Sequence, residues 1–180
     1  LSTVTKLNKA SMTNIVNTLI TKKLVKEIGF GESQTVGGRR PIMLELNAKA
    51  GVSVSIDIGN DYIDGIATDL SGNVLDYFKT ESLAVTSSNA VSLIEDVMKK
   101  FEKHANATDY GFIGIVLAVH GIVFENNITM SPNYDIMGSS LYEELASKYD
   151  FPIYMENEAN LAALGHIAYN QTTQNAVLLS

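Results

Sequence analysis

Val52-Ser53-Val54-Ser55-Ile56-Asp57-Ile58-Gly59-Asn60-Asp61-Tyr62-Ile63-Asp64-Gly65-Ile66-Ala67-Thr68-Asp69-Leu70-Ser71-Gly72-Asn73-Val74-Leu75 is the stretch that decides the fold. Val52, Val54, Ile56 and Ile58 alternate with Ser53, Ser55 and Asp57. A period of two puts every second side chain on one face of a sheet, so this is a first strand. Gly59-Asn60-Asp61 suits a tight connection, Tyr62 to Leu70 resumes the β-rich pattern, and Ser71-Gly72-Asn73 turns the chain into a third strand over Val74 to Lys79. The expectation is a meander. The turn itself reads in two ways. An Asp at a strand end followed by a Gly turn can approach phosphate, and it can equally be a plain structural hairpin.

Working forward, Ala90, Leu93, Ile94, Val97, Met98 and Phe101 fall at helical spacing on a helix that covers the sheet. Gly111 to Val119 is nearly all apolar, as expected of a strand buried on both faces between parallel neighbours. It ends at His120-Gly121, where the sequence sets no second His or carboxylate at ligand spacing, so His120 reads as structural or partly exposed. Phe124 to Thr129 is a turn between short extended pieces, and Ser131-Pro132-Asn133 opens an irregular loop. Ser139 or Ser140 is expected to cap a helix lined by Leu141, Leu145 and Tyr149, and Pro152 begins a short strand, Ile153-Tyr154-Met155. That strand runs into Glu156-Asn157-Glu158-Ala159-Asn160, the start of an alanine-rich helix. A polar helix start at a strand end is the usual ligand edge of an α/β sheet. Asn157 can donate to and accept from a hydroxyl and Glu158 can accept from one, although both can simply cap the helix.

Working backward from Val52, the charge changes sign. Residues 1–50 hold eight Lys and Arg against three Glu, a balance of +5, within a chain whose net charge is −7, which leaves −12 for the remainder. A basic front can meet phosphate, and an acidic remainder is repelled by it. Leu1 to Lys26 reads as two short helices, the first capped by Ser2 and the second by Ser11 after a turn at Asn8-Lys9-Ala10. In the second, Ile15, Val16, Leu19 and Ile20 form an apolar stripe, while Thr13, Asn14, Asn17, Thr18 and Thr21 form a face of short amides and hydroxyls. Such a face can read base edges or phosphates, as in a recognition helix, and it is also what a solvated two-helix hairpin shows. Leu24 to Ile28 and Pro41 to Leu46 are expected strands joined by a long loop that ends in Gly37-Gly38-Arg39-Arg40-Pro41, a wing or a flexible linker. Adjacent arginines favour a narrow, electronegative minor groove.

Composition excludes several classes. At 46% hydrophobic and 18% charged, the chain is ordinary for a soluble globular protein. No Cys occurs, so neither disulfides nor thiolate zinc hold this segment. The longest apolar runs are too short for a bilayer, and no signal-peptide pattern opens the chain, so no membrane partner and a cytoplasmic setting are expected. The chain starts at Leu1 rather than Met and stops at Leu178-Leu179-Ser180 in what reads as a strand, so it is taken as a fragment.

Together, Gly37-Gly38-Arg39-Arg40-Pro41, the strand end Asp57-Ile58-Gly59, and Glu156-Asn157-Glu158-Ala159-Asn160 with Ala162-Ala163-Leu164-Gly165 resemble the ROK family (repressors, open reading frames and kinases), most of all its xylose-responsive repressors. The resemblance covers essentially the whole chain and implies an α/β protein. An N-terminal winged helix-turn-helix at 1–48, its first helix missing, would precede an actin-like (ribonuclease H-like) ROK sugar-binding domain at 51–180, truncated at its C-terminus. It implies a repressor bound to operator DNA as a homodimer and modulated by a sugar, xylose above others. The DNA contacts would be Ser11, Thr13, Asn14, Asn17, Arg39 and Arg40. Sugar contacts would be Asn133, Asn157 and Glu158, with Gly121 on the cleft wall.

Departures from the kinase members imply a protein that is not an enzyme. Kinases carry a catalytic Asp where Glu158 stands, a second Gly and a Thr where Asn60 and Asp61 stand, and usually a Pro at His120. Asp57, Gly59, Asn60 and Asp61 would then be a vestigial phosphate loop, with the Asp61 carboxylate opposing ATP. No cofactor is expected in this segment, and the family's His- and Cys-bearing zinc segment would lie beyond Ser180. The rivals are an active ATP-dependent sugar kinase of the same family with an extra N-terminal module, and a protein-binding front end.

Overall fold

The computed structural model describes residues 5–31, 40–80, 83–132, 135–136 and 140–170. The chain divides into two compact units, Leu1–Ala50 and Gly51–Ser180.

The first unit holds helix α1 (Lys9–Thr21) and strands β1 (Val25–Phe30) and β2 (Ile42–Leu46), paired antiparallel with Val25 opposite Leu46 and Phe30 opposite Ile42. The helix starts earlier than the sequence suggests. Asn8 is the cap, its side chain accepting from the Ser11 amide at 2.8 Å, so Asn8-Lys9-Ala10 is no turn and Ser11 lies within the first turn of the helix. An Asn beside the first turn satisfies an orphan amide as well as Ser does, and the residue nearer the chain's entry took the role. No residue of α1, β1 or β2 is buried. The Ser2 cap lies outside the described residues.

The second unit is built on a five-stranded sheet of order β5-β4-β3-β6-β9, with β3 (Val52–Ile58), β4 (Ile63–Thr68), β5 (Val74–Phe78), β6 (Phe112–Val119) and β9 (Ile153–Asn157). The meander β3-β4-β5 is antiparallel, whereas β6 runs parallel to both β3 and β9. Between them lie α2 (Ala90–Ala105), the hairpin β7 (Ile122–Phe124) and β8 (Asn127–Met130), and α3 (Leu141–Lys148); α4 (Glu158–Tyr169) follows β9. Glu125 and Asn126 take the positive φ values of 49° and 61° that close the tight β7–β8 turn.

The alternation in β3 buries Val52, Val54, Ile56 and Ile58 on the face that α2 covers with Ile94, Val97, Met98 and Phe101. Leu141 and Leu145 of α3 extend that core. Ser140 precedes α3 without a side-chain cap bond; its hydroxyl pairs with Glu144 instead. The expectation that β6 is buried on both faces holds for one of them. Ile115, Leu117 and Val119 are fully buried, while Val116 and Ala118 line a groove of about 610 Å³ shared with Leu161 and Leu164 of α4.

At the far edge, Asp76 of β5 meets Lys103 Nζ at 3.0 Å and His104 Nε2 at 3.1 Å, tying the last turn of α2 to the sheet. These partners, Lys103 first, and the Tyr77 amide hold the Asp76 carboxyl well below its ordinary value of 3.8. A carboxyl depressed in the folded state contributes stability above 3.8 that is lost as pH falls through the folded value. Asp76→Asn is therefore expected to melt below wild type at pH 7, by a small margin because solvent screens the cluster. The gap should narrow as the pH drops below 3.8, which paired thermal melts will read.

Candidate functional site: the ends of three strands

Parallel pairing lines up the ends of β3, β6 and β9. Ile58 stands beside Val119, and Val119 beside Asn157, so the next residues along, Gly59, His120 and Glu158, come out of the sheet at one edge. This is the carboxyl edge of parallel strands, where α/β sheets hold ligands.

His120 lies between two carboxylates that the linear sequence keeps far from it. Its Nε2 is 3.4 Å from Asp57 Oδ1, and its Nδ1 is 3.9 Å from Glu158 Oε1. The expectation that no carboxylate stands near His120 is thus corrected, because strand register, not sequence spacing, sets its neighbours. Tyr62 joins them. Its hydroxyl donates to Asp57 Oδ2 at 3.0 Å and lies 2.8 Å from His120 Nε2. The carboxylate can only accept and the phenol has one proton, so Nε2 carries a hydrogen and donates to the Tyr62 oxygen. The two rings meet edge to face with centroids 6.0 Å apart. Tyr62 precedes β4 rather than beginning it, and its ring folds back over Gly59, where a Cβ would fall 2.1 Å from the ring. Only glycine leaves that space.

Around the rest of the turn, Asn60 and Asp61 are exposed, and their carbonyls accept from the Val85 and Leu83 amides. Asp57 Oδ1 is, among the described residues, a buried side-chain atom with no hydrogen-bond partner.

Asn157 is both the last residue of β9 and the cap of α4. Its Oδ1 accepts from the Ala159 and Asn160 amides at 2.9 and 3.1 Å; its Nδ2 donates to the Gly121 carbonyl at 2.9 Å and to Glu158 Oε2 at 2.7 Å. All four valences of the amide are filled. Glu158, first residue of α4, has its carboxylate at the positive end of that helix. Gly121 packs against the β8 backbone, where a Cβ would lie 2.2 Å from the Met130 carbonyl. Asn133 lies outside the described residues. Among those described, no group of three or more His, Cys, Asp or Glu is placed to hold a metal ion, and no helix is long and apolar enough to cross a membrane.

In the first unit Thr13, Asn14 and Asn17 are exposed on α1, Ser11 is half-buried and Arg40 is exposed. Thr13 donates its hydroxyl proton to the Lys9 carbonyl, which leaves its oxygen able to accept. Arg39 lies outside the described residues.

Residues 53–180 match the model of the ROK family. The chain belongs to the ROK family. Its similarity reaches beyond that domain: it is 41% identical over 170 residues to the xylose repressor of Bacillus subtilis, covering 92% of this chain and 43% of that protein. It is 35% identical over 183 residues to the xylose repressor of Staphylococcus xylosus, covering 97% and 46%. The ROK chain thus spans less than half the length of these relatives. Among solved structures, a ROK family transcriptional regulator, a homologue of the E. coli Mlc protein, superposes with a TM-score of 0.72 at 21% identity, over 97% of this chain and 45% of its own. A ROK family glucokinase from Streptomyces griseus, solved with glucose and AMPPNP, superposes with a TM-score of 0.56 at 22% identity over 69% and 38%. At these identities the structures establish the fold, a mixed α/β sheet of the actin-like, kinase-type architecture.

Tyr62 and His120 stand at this strand edge beside Asp57 and Glu158, a meeting that sequence spacing does not reveal. The available signal was the paired apolar strands, whose parallel register would have set 120 beside 59 and 158. Asn157→Ala is expected to cost about 1–2 kcal/mol through loss of the α4 cap and the tie to Gly121. Asn157→Asp keeps the cap acceptors but sets two carboxylates together, so it should lose the Gly121 tie while keeping helix content. Denaturant unfolding with circular dichroism separates the two.

Proposed function

We propose that this chain is part of a sugar-responsive transcriptional repressor. Residues 1–48 would form a winged helix-turn-helix that reads operator DNA, and residues 51–180 the N-terminal part of the ROK sugar-binding domain. One observation carries the reading. The match to the B. subtilis xylose repressor takes in 92% of the chain, so it includes much of the basic front unit as well as the ROK part. The helix-and-ribbon arrangement of α1, β1 and β2, with Asn14, Asn17 and Arg40 exposed, is compatible with a reader of duplex DNA.

In this reading Thr13, Asn14 and Asn17 approach the major groove, with Ser11 at the helix start, and Arg39 and Arg40 hold the minor groove or the backbone. A homodimer meets a palindromic operator. Sugar binds at Gly121, Asn133, Asn157 and Glu158 and changes the grip on DNA because one arrangement of the protein binds it better than the other. Xylose is the sugar the relatives' names point to. The protein is cytoplasmic and uses no cofactor in this segment. Turnover of ATP is disfavoured: Glu158 reaches about one methylene further than a catalytic Asp, and Asp61 sets a negative charge where phosphate would lie.

Gel-shift titration of the intact protein on its operator tests the first half. Arg39→Ala with Arg40→Ala is expected to weaken specific binding about tenfold or more and to lower the salt slope by about two if both side chains neutralise phosphates. Unchanged binding would remove the wing from the account. Calorimetric titration with xylose, with ATP present and absent, tests the second half: binding without ADP release is expected, and sugar-dependent ADP release would favour a kinase.

A further inference from the structure

The end of α1 holds a backbone conformation that its sequence does not favour. Lys22 caps the helix, and the next residue, Lys23, has a φ of 57°, in the left-handed region. The Lys23 amide donates to the Ile20 carbonyl at 2.8 Å and the Leu24 amide to the Leu19 carbonyl at 3.0 Å, the paired bonds that close a helix through one left-handed residue. Glycine takes that conformation freely, whereas a side chain there crowds its own backbone. The surroundings hold lysine in it. Asn47, just after β2, donates its Nδ2 hydrogen to the Lys23 carbonyl at 2.7 Å and its amide to the Leu24 carbonyl at 2.9 Å.

Strain kept at an exposed position calls for a use of the side chain, and the helix supplies one. α1 has 13 residues and is therefore about 20 Å long, against a major groove about 12 Å wide. A helix set into that groove at Thr13, Asn14 and Asn17, in its first half, has its far end among the phosphates of one strand. That end is the negative pole of the helix, which repels phosphate, and the last turn of α1 contains no basic residue. The first cations past it are Lys22 and Lys23, both exposed, directly after Thr21 at the end of the polar face. Lys26, the next along, is paired across the ribbon with Glu45 at 3.1 Å. We infer that Lys23 is a phosphate contact of this unit, a lysine kept at a left-handed position where glycine would be more stable. This rests on the DNA-binding reading proposed above and adds to it a contact that is blind to base sequence.

The test is gel-shift titration of the full-length protein over a range of salt concentrations, on its operator duplex and on a random-sequence duplex of equal length. Wild type is compared with Lys23→Gln, Lys23→Arg and Lys23→Gly, and each is melted thermally. Lys23→Gln is expected to weaken binding to both duplexes by a similar factor, about three- to tenfold, and to lower the salt slope by about one. Lys23→Arg should bind as wild type does. Lys23→Gly should lose as much affinity as Lys23→Gln yet melt above wild type, since glycine relieves the left-handed turn. Wild-type affinity and salt slope in Lys23→Gln would overturn the inference. Loss of binding in Lys23→Gly alone would overturn it too, because a stiff turn and not a charge would then be what DNA requires. A melt of Lys23→Gly below wild type would show that Lys23 is unstrained, with the same result. If wild type binds neither duplex, the DNA-binding reading itself falls, and this inference with it.

Discussion

The parallel pairing of β6 with β3 on one side and β9 on the other is the constraint on which the site depends. A parallel ladder has a fixed slant and spacing, and a one-residue slip would turn every side chain of β6 to the opposite face. The slip is blocked by the core: Ile115, Leu117 and Val119 are fully buried against α2 and α3. Hydrophobic burial on one face therefore fixes, at a distance, which polar residues emerge together at the strand ends. Asp57, His120 and Glu158 come from three separate parts of the sequence and meet because apolar side chains elsewhere have no other place to go.

The two units use different means of holding shape. The second has a continuous core of buried aliphatic residues and Phe101. In the first, α1 is defined by its Asn8 cap and its backbone ladder, and β1 by its pairing with β2. A helix with no buried residue gains little from packing, so its polar face is left to solvent or to a partner. That is compatible with the DNA-reading role proposed for this unit.

Much of the second unit was legible in sequence because its signals are periodic. The Val–Ser alternation marks β3, and the spacing from Ala90 to Phe101 marks α2, since one buried face forces one period. What was not legible depends on contacts between elements. His120 looked isolated because its carboxylates are 63 and 38 residues away along the chain and 3.4 and 3.9 Å away in space. Tyr62 passed for the first residue of a strand, since nothing local says that a ring will fold back onto a glycine three residues earlier. At the front, Asn8 and Ser11 are both good caps, and sequence alone does not choose between candidates three residues apart. Asn157 and Glu158 were legible as polar residues at a strand end. That one amide would serve strand, helix and hairpin loop together was not.

The filled valences of Asn157 set what an incoming group would have to offer at the start of α4. Engagement there is an exchange and not an addition: an incoming group that takes the amide hydrogen from Glu158 must also give that carboxylate a replacement donor, or leave it stripped of a bond. A vicinal diol can do both at once, one hydroxyl accepting while its neighbour donates. A single hydroxyl can also complete the trade by accepting from the amide and donating to the carboxylate, so what the capped helix start demands of an incoming group is that it donate and accept together.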